Sequence, residues 1–204
     1  DSASQLGVPG LVRAVKSGNL RIANSLGAGL AESRALLAFM PRIAERVLGR
    51  APALPNIATW WCGQEAARRT VLDQLDRLLV APAHDGAVLG EGLPEGPVAV
   101  ATLDAGARAR LVAAIERRGM DVVGQEMVKL STMPVWDGRR LQPRPFLLRV
   151  FVARTRYGWK VMPGAFCQVS AGVNPLAISL RAGGRSADVW VIADGPVDSK
   201  TLLP

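Results

Sequence analysis

The chain has 204 residues, a net charge of +8 and 49% hydrophobic residues, which is enough apolar material for one large domain or two small ones. It contains no apolar run of about eighteen residues, so we expect no membrane-spanning segment. The N-terminus lacks the basic start and apolar stretch of a secretory signal. Because the chain begins at Asp1 and not at Met, we interpret it as processed or truncated.

The positive charge does not indicate a nucleic-acid partner. The excess is nearly all arginine, scattered along the chain, whereas a nucleic-acid surface is expected to show a basic stripe or interleaved aromatic residues. The two cysteines, Cys62 and Cys167, are far apart, and His84 is the one histidine. Zinc sites and histidine-based nucleophilic triads are therefore not expected. We expect both cysteines to be buried free thiols and the protein to be cytoplasmic.

The N-terminal third predicts short helices around a glycine-bearing loop. We expect a helix over 11–16, a short buried strand over 20–23, and then a loop that carries Asn24, Gly27 and Gly29. A strand, a glycine loop and a helix in this order can hold a phosphate on backbone N–H groups, although glycine loops also serve simply to turn the chain. Ser33 is expected to cap the next helix, which ends at Gly49.

The middle of the chain predicts two longer helices and a strand. The stretch 64–79 places valine and leucine on one face and arginine and aspartate on the other, which predicts an amphipathic helix. Residues 78–82 predict a brief strand. Asp104 is placed to cap a helix that runs to Arg118. His84, beside Asp85 and Gly86, is interpreted as a solvated loop residue.

The last part of the chain predicts a strand over 122–130 and a hairpin over 146–153 and 159–169. Asp137-Gly138 predicts the turn before the hairpin. A last short strand is expected over 188–192. Arg149 interrupts the apolar strand, and a guanidinium there needs a carboxylate, a phosphate or water at its tip. An internal ion pair and an anion-binding role both stay open.

In order, these segments resemble the circularly permuted ATP-grasp family. The resemblance rests on DSASQLGVPGL at 1–11, NSLGAGLAES at 24–33, TWWCGQ at 59–64, GQEMVKLSTMPVWDG at 124–138, PRPFLLRVF at 143–151, VMPGAF at 161–166 and SADVWV at 186–191. It implies an α/β, ATP-grasp-like fold, with an antiparallel sheet and flanking helices. We expect 1–58 to be part of the ATP-grasp core and 59–204 to be the nucleotide-side subdomain.

The resemblance also implies an ATP-dependent carboxylate–amine ligase, with ATP and magnesium as cofactors. By position, the nucleotide-binding residues are Gln125, Glu126, Met127, Val128, Arg149, Asn24, Gly27 and Gly29. Glu126 and Arg149 are expected on neighbouring strands of one sheet that holds 122–130, 146–153 and 159–169. Glu126 then either contacts the nucleotide or only neutralises Arg149.

Four positions depart from the family pattern. A basic residue is expected where Ala81 stands, a glycine at Ala165, an arginine at Gln168 and a lysine at Ala187. The three missing cations would face the phosphates, so we expect weak ATP binding or none.

No metal ligand is predicted, because the family's acidic motifs precede DSASQLGVPGL in the permuted order and are absent from this sequence. Two hypotheses stay open: a ligase portion completed by an upstream half or another subunit, or a degenerate module that binds a partner or ligand.

Overall fold

A computed structural model describes residues 7–170, 184–192 and 195–196. The chain forms two compact units, Asp1–Met127 and Val128–Pro204. The first unit contains helices α1 to α5 and strands β1 to β4: α1 Leu11–Lys16, α2 Arg34–Leu37, α3 Met40–Leu48, β1 Thr59–Trp61, α4 Glu65–Asp73, β2 Leu78–Pro82, β3 Val98–Ala99, α5 Ala105–Arg118 and β4 Val122–Glu126. The second contains strands β5 to β8: β5 Thr132–Trp136, β6 Leu141–Thr155, β7 Gly158–Val169 and β8 Arg185–Asp188.

The sheet of the first unit has the strand order β1-β4-β2-β3, and every neighbouring pair is antiparallel. The chain builds it from two strand–helix–strand segments, β1-α4-β2 and β3-α5-β4. β4 lies between the two strands of the first segment, and β2 lies between those of the second. Each helix therefore spans one intervening strand, and both central strands are paired along both edges.

Both faces of this sheet are covered. One core is formed by α4, α5 and alternate strand residues, and its fully buried side chains include Val71, Leu111 and Ile115. The other face packs against α2 through Ala35, Ala81, Ala83 and Val123. The alternation of side chains along a strand explains why Val80 and Ala81 enter different cores.

Close backbone approaches fix the helices on the first face. A Cβ built on Gly124 would lie 2.6 Å from Val71 Cγ2, so α4 packs directly onto the backbone of β4. A Cβ on Gly119 would lie 2.4 Å from the Cys62 carbonyl oxygen. The absence of a side chain at these two glycines is therefore a packing requirement.

The sheet of the second unit has the order β5-β6-β7-β8 and is antiparallel throughout. Asp137 forms the β5–β6 turn, where its Oδ1 accepts hydrogen bonds from the N–H groups of Arg139 and Arg140 at 2.8 and 2.9 Å. The β6–β7 pairing shifts between Val150 and Val152, which face Ala165 and Val161. Three residues of β7 thus oppose one of β6, and this bulge separates the base of the hairpin from its tip.

The structure confirms several predicted elements. The helix from Asp104 to Arg118 is present, and Asp104 Oδ1 accepts from the Ala107 N–H at 2.7 Å as a cap should. The hairpin is present and longer than predicted. Cys62 and Cys167 are both buried with free thiols, as expected. Among the described residues, every helix is too short or too polar to cross a bilayer.

Other expectations were wrong. The stretch 20–23 is exposed and forms no strand, the helix predicted over 64–79 ends at Asp73, and the strand predicted over 122–130 ends at Glu126. The last described strand is Arg185–Asp188 and not 188–192. Ser33 occupies the position before α2 but forms no side-chain cap. The division into 1–58 and 59–204 stays a prediction about family subdomains.

Candidate functional site

Gln125, near the end of β4, is held by a side chain of the neighbouring strand. Thr59 lies directly opposite it on β1, and Gln125 Nε2 donates to Thr59 Oγ1 at 3.0 Å. The Thr59 hydroxyl in turn donates to the Ile57 carbonyl oxygen at 2.9 Å. Both side chains are half-buried. This chain of hydrogen bonds gives the Gln125 amide a defined orientation.

Hydrogen bonding ends where β4 ends. The Glu126 N–H donates to the Ala58 carbonyl oxygen at 3.0 Å, and its side chain is exposed. Met127 closes the first unit, Val128 opens the second, and both are exposed. Within the described part of the chain, the backbone of residues 127–130 forms no hydrogen bond. Its donors and acceptors are therefore available to a ligand.

Arg149 lies on β6, opposite Phe166 of β7, and its side chain is exposed. Phe166 in turn faces Asp188 of β8, so these three side chains share one face of the second sheet. Arg149 forms no ion pair with any described residue. Because the side chain is exposed, the strand needs no internal partner for this charge, and the predicted internal ion pair is not found among the described residues.

The predicted pairing of Glu126 with Arg149 on neighbouring strands is wrong. Glu126 ends β4 in the first sheet, whereas Arg149 belongs to β6 in the second. β4 is flanked by β1 and β2, and β6 is flanked by β5 and β7, so the two strands have no shared edge. The sequence pattern could not show this, because apolar and polar side chains alternate in the same way whether the strands form one antiparallel sheet or two.

The three positions expected to supply cations do not form one group. Ala81 is fully buried and pairs with Val123 in the first unit. In the second, Gln168 pairs with Leu147 and Ser186, whereas Ala187 pairs with Cys167. Consecutive residues of β7 point to opposite faces, so Gln168 shares the face of Arg149 and Ala187 does not. The expectation that all three face one polyphosphate is therefore wrong.

The glycine loop is exposed throughout residues 21–30. Asn24 and Gly27 adopt left-handed backbone conformations, with φ of 63° and 86°. Gly29 lies in a short 3₁₀ helix, Ala28–Glu32, in which the Leu30 N–H donates to the Gly27 carbonyl oxygen. No heavy atom lies within 4 Å of a Cβ built on Gly27 or Gly29. The loop is present, but no strand leads into it.

The residues described do not fit a magnesium site. No three of their His, Cys, Asp and Glu side chains come together as metal ligands would, and Mg²⁺ binding in proteins relies on carboxylates and phosphate oxygens. An open cavity of about 380 Å³ beside the end of α5 is lined by residues such as Arg68, Glu116 and Asp121. None of the predicted site residues lines it.

Thr59 is the residue that sequence reasoning missed. Its role depends on the β1–β4 register, which joins positions 66 residues apart. A threonine at the start of a short strand is unremarkable in the sequence, because β-branched residues favour strands generally.

The model of the family described as circularly permuted ATP-grasp type 2 matches residues 1–170. The chain belongs to this family. The match includes every predicted nucleotide-binding residue, from the glycine loop to Arg149. It therefore confirms the family resemblance, and the two antiparallel sheets with flanking helices agree with an α/β fold.

Three relatives illustrate the similarity. A Frankia casuarinae protein named "Putative glutamate--cysteine ligase 2-2" is 36% identical over 190 residues, which are 93% of this chain and 21% of that protein. An uncharacterized protein of Synechocystis sp. is 30% identical over 93% of the chain and 38% of its own length. An uncharacterized protein of Mycobacterium leprae is 31% identical over 93% of this chain and 33% of its own length. The chain thus spans about a fifth to two fifths of these relatives.

Proposed function

We propose that this chain is the nucleotide-binding portion of an ATP-dependent carboxylate–amine ligase. In such a reaction a carboxylate attacks the γ-phosphate of ATP, ADP leaves, and an amine displaces phosphate from the acyl phosphate. The family match over residues 1–170 carries the proposal. The name of the Frankia casuarinae relative, which specifies a ligation of glutamate to cysteine, supports the reaction class.

Residues 125–128 are proposed to hold the base. The exposed, unbonded backbone that follows Glu126 offers N–H and C=O groups, and these can pair with the edge of a nucleobase. Gln125 adds an amide held in place by Thr59. Glu126 adds an exposed carboxylate at the same strand end.

Arg149 is proposed to contact the phosphates. Its guanidinium is exposed and has no ion-pair partner among the described residues, and a charge-assisted hydrogen bond to phosphate is stronger than a neutral one. Because the described residues do not gather metal ligands, we assign no step to magnesium here. Ligands for magnesium would come from an upstream polypeptide or another subunit, which is the partner that the proposal requires.

A second candidate is a degenerate module that binds a partner or ligand without turnover. The substitutions favour it, because Ala81 is enclosed in a core and Gln168, which shares the face of Arg149, carries no charge. A triphosphate needs several donors or cations in a protein site. The two candidates differ in whether ATP is turned over after it binds, and a chain that binds no ATP satisfies only the second.

The test is a titration of the ¹⁵N-labelled chain with ATP up to millimolar concentration, followed by NMR. We expect weak binding that shifts resonances of residues 125–128. Arg149→Gln should weaken it about tenfold or more, whereas Arg154→Gln, an equal charge loss on an exposed arginine of the same strand, should not. Gln168→Arg should strengthen binding, because residue 168 shares the face of Arg149. Absence of binding in all four proteins would reject the ligase proposal.

A further inference from the structure

The orientation of the Gln125 amide follows from the hydrogen bonds around Thr59. A threonine hydroxyl has one hydrogen, and here it is donated to the Ile57 carbonyl oxygen. The hydroxyl oxygen can therefore only accept from the Gln125 amide, at 3.0 Å. If the amide were turned over, two oxygen atoms would face each other without a hydrogen between them. The network thus decides which amide atom faces Thr59.

The other end of this amide is consequently an acceptor. Gln125 Oε1 has no hydrogen-bond partner among the described residues. No buried side-chain nitrogen or oxygen atom in the described structure lacks a partner, so Oε1 reaches solvent. Gln125 therefore presents a fixed carbonyl oxygen near the end of β4, two residues before the unbonded backbone of the proposed base site.

We propose that Thr59 is a positioning residue for base selection: it holds Gln125 with Oε1 outward, which favours a nucleobase that carries an exocyclic amino group. This inference rests on the proposed nucleotide binding at residues 125–128. An amino group donates to Oε1, whereas a base that lacks it leaves Oε1 without a donor. Without Thr59 the amide would be free to turn over and to offer either an acceptor or a donor.

The probe pair is ATP and purine riboside triphosphate, which lacks only the exocyclic amino group of adenine. Both are titrated into the ¹⁵N-labelled full chain, and resonances of residues 125–128 report each Kd. We expect the analogue to bind about 3- to 10-fold more weakly than ATP. In the same spectra the Gln125 side-chain amide should exchange slowly with solvent, because it is hydrogen bonded.

Three variants separate positioning from a general structural effect. Thr59→Val keeps the β-branched shape but removes the hydroxyl, so the ratio of the two Kd values should fall towards one and amide exchange should accelerate. Thr59→Ser restores the hydroxyl and should restore both. Thr70→Val makes the same chemical change on α4, where the Thr70 hydroxyl donates to the Ala66 carbonyl oxygen at 3.0 Å, and it should leave the ratio unchanged.

The outcomes distinguish this inference from the proposed function. Equal affinities for the two nucleotides in the unmodified chain would overturn the inference and leave nucleotide binding intact. A Kd ratio that survives in Thr59→Val, with the Gln125 amide exchanging freely, would overturn it as well. If neither nucleotide shifts the resonances of residues 125–128, nucleotide binding itself is rejected, and the base preference with it.

Discussion

At the scale of single residues, burial determines the pKa of the Cys62 thiol. It lies next to a tryptophan pair and is 0% exposed. Burial raises the pKa of the Cys62 thiol to about 11, although the charge of Arg68 and a backbone hydrogen bond from Gly124 act in the opposite direction. The thiolate is thus disfavoured, and the side chain serves as a small apolar group.

This pKa shift predicts a pH-dependent loss of stability. Because the folded pKa lies above that of the unfolded chain, the stabilisation is fully present below about pH 9 and is lost as the pH rises towards the folded value of about 11. Between about pH 8 and about pH 10, the free energy of unfolding should fall by about 1 kcal/mol more in the unmodified protein than in Cys62→Ala. Urea unfolding at both pH values measures this, and equal losses in the two proteins would contradict it.

At the scale of elements, α4 packs against the backbone of β4 at one close contact. Val71 is fully buried and rests on Gly124, where no side chain intervenes. Valine is confined to few rotamers in a helix, so it cannot move aside easily. The fit between this helix and strand therefore depends on the pair, and not on either residue alone.

We predict strong coupling between Gly124 and Val71 in a double-mutant cycle. Gly124→Ala should destabilise the protein by about 1–3 kcal/mol through overpacking, and Val71→Ala by about 2 kcal/mol through a cavity. The double variant should lose less than the sum, because the new methyl group occupies part of the cavity. Denaturant unfolding gives the four free energies. Gly29→Ala is the matched control, since its Cβ would meet no atom within 4 Å. Additive losses would contradict the prediction.

At the scale of the whole molecule, both hydrophobic cores described for the first unit are built from its own residues. Their members extend from Ala35 to Val123, and the boundary between the units follows Met127. In the part of the chain that the structure describes, the strands of the first sheet pair with one another and with no strand of the second sheet. The first unit thus contains its own core and a complete set of strand pairings.

We therefore predict that residues 1–127 fold when expressed alone. The fragment should unfold cooperatively in urea and give a dispersed NMR spectrum, because both described hydrophobic cores consist of its own residues. A spectrum without dispersion, or a gradual unfolding curve, would show that the second unit is required. The Asp104→Ala variant of the fragment should be less stable by about 1 kcal/mol, through loss of the helix cap.

The sequence alone determined the features that depend on neighbours along the chain. The helix capped by Asp104, the Asp137-Gly138 turn and the β6–β7 hairpin follow from capping, turn chemistry and alternation, and each is present. The ordered motifs also identified the family, since each is a local pattern. The predicted site residues were assigned in the same way, by position in those motifs.

Only the tertiary structure decided what depends on strand register. Glu126 and Arg149 belong to different sheets, Gln168 and Ala187 to opposite faces, and Thr59 lies opposite Gln125 across 66 residues. A shift of one residue in pairing would reverse every face, and no local pattern records which strands pair. The sequence therefore identified the candidate site residues, and the strand pairing within each sheet determined which of them share a face.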